Sequence, residues 1–193
     1  MKDNFYDRDQ LENLGFKYLG NNLRISKNAI FYGAENISIG SNSRIDDFCL
    51  LSASANGEII LGKFVHISAG SYFFGKGGII LGDFAGVSAG SKIFSETDDF
   101  SGDYLTNPTI PSQYRNVDSQ LVLMERHSII GAGSLLLPGA VIPEGTAVGA
   151  MSIVNKKLEP WGIYVGQPVR RVKDRSKNLM KLESRLMAVD DDF

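Results

Sequence analysis

The chain has 193 residues, one domain's worth, and its 43% hydrophobic content is ample for a core. A formal charge of -2 and a pI near 5.7 provide no basic footprint for nucleic acid or an anionic bilayer, so neither is expected as a partner. No apolar run approaches the roughly 20 residues of a membrane span, the opening MKDNFYDRDQ lacks the apolar core of a signal peptide, and a single cysteine cannot form an internal disulfide; the expectation is a cytoplasmic protein without membrane insertion.

Residues 1–20 carry Leu11, Leu14, Phe16 and Leu19 behind an acidic start, which suits a short helix or arm capping the open end of a solenoid. The chain beyond them is a repeat. Aliphatic or aromatic residues recur six apart as Leu19, Ile25 and Phe31, then Ile39, Ile45 and Leu51, then Leu61, Ile67 and Phe73, then Leu81, Val87 and Ile93. After a break the pattern returns as Met124, Ile130 and Leu136, followed by Ile142, Val148 and Val154. A period of six matches no helical repeat but suits a short strand and a corner, and three such sides close a triangular coil. The residue four places after each of these also points inward at a corner, where only small groups fit. The chain offers Ala29, Ser43, Cys49, Ser71, Ala85, Ser91, Ser128, Ser134, Ala140, Thr146 and Ser152 there, with Leu23 and Val65 as exceptions. Two independent patterns thus predict an all-β solenoid, a parallel β-helix over residues 21–156. Cys49 is read as structural for the same reason.

The coils are unequal in length, and the surplus falls on one side of each. Third sides are lengthened after Phe31, Leu51 and Phe73, and the largest insertion, 94–123, also leaves a third side. One edge of the prism therefore collects every insertion, as expected of a functional edge. The long insertion holds Pro108, Pro111, Tyr104 and Tyr114 and reads as an ordered arm against a neighbouring subunit. The GKGG run at Gly75 lacks the phosphate-loop pattern and reads as a coil insertion. Residues 157–193 form an extended segment punctuated by Pro160, Gly162, Gly166 and Pro168, a short amphipathic helix from about Ser176, and a solvated DDD tail.

The segment HSIIGAGSLLLPGAVIPEGTAVGAMSIVNKKLEPWGIYVGQPVRRV resembles the closing pattern of the hexapeptide-repeat acyltransferases, and GFKYLGNNLRIS and FSETDDFSGDYLTNPTIP resemble the sugar O- and N-acetyltransferases of bacterial surface polysaccharides. The resemblance implies a left-handed coil, although the usual crossover rule gives the opposite hand. It implies a homotrimer with acetyl-CoA between adjacent prisms and no metal. The implied activity is transfer of an acetyl group to a sugar hydroxyl or amine in lipopolysaccharide, capsule or exopolysaccharide synthesis. A nucleotide-linked amino sugar is one form of acceptor, a galactoside-type hydroxyl another, and the sequence leaves both open. A non-catalytic solenoid scaffold is the reading from a different class.

Direct attack on a thioester calls for a proton acceptor, an oxyanion donor and a channel for the pantetheine arm. His66, in GKFVHISAG, points outward before a corner, with Arg44 and Gly86 as its stacking neighbours by register, and is the first catalytic candidate. Asp98 is the second, standing where many family members place a histidine. Arg44, Asp99 and Tyr104 are the substrate-binding candidates. The resemblance points to Gly131, Ala132, Gly149, Ala150 and Ser152 for acetyl-CoA, with Lys156, Lys157, Arg170 and Arg171 for its phosphates. Trp161 seals the prism or stacks near adenine. His127, on an outer corner, is expected to be a plain surface residue. A zinc carbonic anhydrase needs three histidine ligands, and the chain has two histidines.

Overall fold

The computed structural model describes residues 4–54 and 56–189. It is a left-handed parallel β-helix of triangular section with a short C-terminal helix. The first face stacks Tyr18–Leu19, Ile37–Ile39, Ile59–Leu61, Ile79–Leu81, Val122–Met124 and Val141–Ile142. The second stacks Arg24–Ile25, Arg44–Ile45, His66–Ile67, Gly86–Val87, Ile129–Ile130, Ala147–Val148 and Gly162–Gly166. The third stacks Ile30–Tyr32, Leu50–Ser52, Tyr72–Phe74, Lys92–Phe94, Leu135–Leu136 and Ile153–Val154.

Strands of two or three residues have no independent stability, so packing holds them. From Ile39 to Val154 every hexad position named above is buried in one column, as are all eleven small corner residues. Each buried Ile or Leu contributes roughly 1.5–3 kcal/mol relative to exposure. The smallness of the corner residues follows from the close approach of successive coils, and the same approach dictates certain glycines. A Cβ on Gly131 would lie 2.3 Å from the Ala150 nitrogen, so no side chain fits there.

The corner between the first and second faces places one residue per coil in the left-handed region: Asn22, Asn42, Phe64, Phe84, His127, Gly145 and Trp161. At Phe64, Phe84 and His127 the strain is offset by stacking, with Phe64 on Phe84 at 4.7 Å and Phe84 on His127 at 4.9 Å. The Trp161 ring then occupies the space a Gly145 side chain would take, sealing the end of the ladder.

His127 departs from expectation. It is only 8% exposed, and its Nε2 lies 2.8 Å from Glu183 Oε2 on the C-terminal helix Asn178–Val189. Arg126 pairs with the same carboxylate, so the two side chains latch the helix across this corner. The N-terminal segment forms the helix Arg8–Asn13, begun by an Asp7/Gln10 capping box, with Leu11 buried. The DDD tail lies outside the described residues.

Candidate active site

The edge between the third and first faces carries the surplus chain, as the loops at 33–36, 53–54 with 56–58, and 75–78, and the arm 95–121. The arm leaves the coil as Glu96–Asp98, which pairs antiparallel with Val117–Ser119, with Asp98 opposite Val117. Between the arm and the loops lies a cleft of about 610 Å³. Its wall includes the Phe74–Phe94 pair, stacked at 4.9 Å, and Phe100, whose side chain is 88% exposed. Its charged groups are Lys76, Glu96, Asp98 and Arg115. Such a volume is within the range of small-molecule binding sites.

Asp98 receives Arg115 Nη2 on Oδ1 at 2.8 Å and the Asn107 backbone N–H on Oδ2 at 3.1 Å. The Arg115 hydrogen bond, then the Asn107 N–H, hold its carboxyl below the usual range, so it faces the cleft as an ionised acceptor. Asp99 lies outside the cleft lining. Its oxygens take the Ser101 N–H and Asn116 Nδ2; the Ser101 side chain, then the Ser101 N–H and Asn116, hold the carboxyl below the usual range. Tyr104, also outside the lining, is half exposed further along the arm.

His66 stands on the second face, away from this edge. The register pairs it with Arg44 and Gly86. Its Nε2 lies 2.9 Å from Asp46 Oδ2, and Asp46 Oδ1 receives Arg44 Nε at 2.5 Å. Burial would raise the Asp46 carboxyl, but the hydrogen bonds from His66 and Arg44 and their charges outweigh it and hold it low. With Asp46 ionised, Nε2 is the donor, and in the neutral imidazole the lone pair sits on Nδ1. Arg24 and Arg44 also each lie over the ring of Phe5 in the N-terminal segment, and a hollow of about 230 Å³ beside them is lined by Phe5, Arg44, Asp46, Asp47 and Ala69. The structure therefore groups Arg44 with His66 and does not bring either to Asp98 within one chain.

The residues expected to hold acetyl-CoA are dispersed. Gly131, Ala132, Gly149 and Ala150 line the corner between the second and third faces, with both alanines exposed. Ser152 is fully buried, donating to the Ala150 carbonyl and accepting the Gly166 N–H. Lys156 and Lys157 lie past the third face, where Lys157 bridges to Val141 of the first. Arg170 and Arg171 sit on the strand Val169–Asp174, antiparallel to Gly162–Gly166, and Arg171 is tied to Asp174 at 2.7 Å. Among the described residues no group of three or more His, Cys, Asp or Glu is placed to hold a metal, and no helix is long and apolar enough to cross a membrane.

Comparison with known proteins decides the family. The dTDP-4-amino-4,6-dideoxy-D-glucose acyltransferase of Escherichia coli is 43% identical over 180 residues, 93% of each chain. The chain belongs to the hexapeptide-repeat sugar acyltransferases. A scan against protein-family models gave no match. This acyltransferase is also similar to AntD, an N-acyltransferase from Bacillus cereus solved with dTDP and 3-hydroxybutyryl-CoA, at 44% identity and a TM-score of 0.92 over 97% of this chain and 98% of that one. A variant of AntD holding dTDP-4-amino-4,6-dideoxyglucose and coenzyme A matches at 42% identity and a TM-score of 0.94, covering 98% of this chain and 100% of that one. The acyltransferase is thus an enzyme, and the scaffold reading is dropped.

Lys76, Arg115, Phe74 and Phe94 were not candidates from sequence. The concentration of insertions on one edge was the signal for them, since each flanks or belongs to a lengthened third side.

Proposed function

We propose that this acyltransferase moves an acetyl group from acetyl-CoA to the amino group of a dTDP-linked 4-amino-4,6-dideoxy sugar. The product serves surface-polysaccharide synthesis, and the enzyme works in the cytoplasm as a homotrimer. The observation that carries the reading is the 43% identity, over 93% of both chains, to a relative named for that acceptor. The cleft supports it chemically, because it combines aromatic faces for a base with charges of both signs for a ligand that has phosphates and an amine.

In this reading the neutral amine attacks the thioester carbonyl, a C–N bond forms, the C–S bond breaks, and coenzyme A leaves as its thiol. Asp98, held ionised by Arg115, accepts an N–H of the amine and aims its lone pair. Its low pKa makes it an orienting group rather than a strong base. The proton released after attack passes to Nδ1 of His66, oriented by Asp46 on the second face of a neighbouring prism, and from there to the departing sulfur, which leaves as the thiol. Backbone at the exposed Ala132 and Ala150 corners, beside Gly131 and Gly149, receives the pantetheine arm. Arg170 and the exposed Lys156 and Lys157 are the cations left for its phosphates, while Arg171 is engaged by Asp174.

The test is release of coenzyme A thiol by the purified protein with dTDP-4-amino-4,6-dideoxyglucose and, in parallel, with dTDP-6-deoxyglucose, which carries a hydroxyl in place of the amine. Release with the amino sugar alone is expected. Equal release with both would contradict the choice of an amine, and release with the hydroxyl sugar alone would make the enzyme an O-acetyltransferase.

A further inference from the structure

The edge loop 75–78, Gly-Lys-Gly-Gly, has one side chain, that of Lys76. Packing accounts for its glycines. A Cβ on Gly75 would lie 2.7 Å from Ile59 Cγ1, one on Gly77 would lie 2.5 Å from the Ser95 carbonyl oxygen, and Gly78 has a φ of +93°. The loop is pressed between neighbouring coils and delivers a single ammonium to the cleft.

That ammonium is loosely held. Lys76 is 64% exposed at its side chain, and its Nζ stands 3.4 Å from Glu96 Oε2, long for a charge-assisted hydrogen bond. Two more donors in the same cleft are under-used. Arg115 spends Nη2 on Asp98, but its Nε is buried without a hydrogen-bond partner among the described residues, and Ser54 Oγ is in the same position. Buried polar atoms without partners are rare in native proteins and call for a ligand or another explanation. The cleft thus offers a lysine ammonium to an acceptor-rich group, with the unpartnered Arg115 Nε and Ser54 Oγ buried in residues of its wall and the carboxylates of Glu96 and Asp98 beside them for a cationic one.

We propose that Lys76, assisted by Arg115 and Ser54, seats the diphosphate of the acceptor and makes the enzyme select nucleotide-linked over free amino sugars. The inference rests on the reading that the acceptor is dTDP-linked, and it assigns that recognition to a loop with no phosphate-loop motif.

Equilibrium binding of dTDP and steady-state kinetics on the wild type, Lys76→Met and Lys76→Arg test it. Lys76→Met is expected to weaken dTDP binding and raise KM for the dTDP-linked amino sugar by about tenfold or more, with kcat and the KM for acetyl-CoA within about twofold. Lys76→Arg, which keeps the charge, is expected to stay within about threefold of wild type. A Lys76→Met variant that binds dTDP as tightly as wild type overturns the Lys76 assignment and leaves the acceptor reading standing. A wild-type protein that binds no dTDP, yet acylates the methyl glycoside of the same amino sugar as fast as the nucleotide-linked form, overturns the acceptor reading and the Lys76 assignment with it.

Discussion

Asp98 and Asp46 are both carboxylates held ionised beside an arginine, and their surroundings give them different work. Asp98 is braced by Arg115 within the arm and faces the cleft, where an ionised acceptor can orient an amine. Asp46 bridges Arg44 and His66 on the second face and fixes the imidazole. The Asp46 carboxyl is lower in the folded than in the unfolded chain, so its pairing stabilises the fold above about pH 4, the unfolded carboxyl value. That stability is lost as pH falls through the folded value. Wild type should therefore melt at a higher temperature than Asp46→Asn at neutral pH, with the gap closing in acid. A gap that persists undiminished well below about pH 3 would contradict the assignment, and thermal melting across pH measures it. At this scale the sequence was informative where chemistry is local to a coil. The stacking of His66 between Arg44 and Gly86 is visible in the hexad register. The Asp46 contact to His66 follows a side-chain direction that spacing alone does not specify, so the dyad was not legible.

The elements show the same division. Each coil is built from residues near in sequence, which is why the period of six and the small corner residues reveal the prism, and why the crowding of insertions marks the edge that carries the cleft. Contacts made by elements that return to the prism from a distance are illegible. The C-terminal helix is recognisable from the spacing of Leu179, Leu182 and Leu186, but its docking on His127 and Arg126 through Glu183 joins residues 56 and 57 apart with no shared pattern. Glu183→Ala leaves His127 without its carboxylate and is expected to lower unfolding free energy by about 1–3 kcal/mol. Amide exchange should quicken across 178–189, with acyl transfer unchanged, because the helix lies outside the cleft lining. Unaltered exchange in that segment would mean the latch is not what holds it. The cleft is of the same kind: Lys76, Glu96 and Arg115 come from three separate stretches that meet only when coils stack and the arm folds back.

At the level of the whole molecule, the cleft with Asp98 opens on one edge of the prism and His66 projects from the second face. One chain does not join them. A cyclic trimer of adjacent prisms would set the second face of one against the loop edge of the next, so each site would draw on two subunits. Asp98→Asn and His66→Ala are each expected to cut kcat/KM for the amino sugar at least about tenfold. The decisive measurement is the activity of trimers reassembled from an equal mixture of these two variants. If the site is shared, random assembly restores about a quarter of the sites to a full complement of both residues, and activity rises well above that of either variant alone. Activity that stays at the mean of the two variants after subunit exchange would contradict a site built across two copies of the chain.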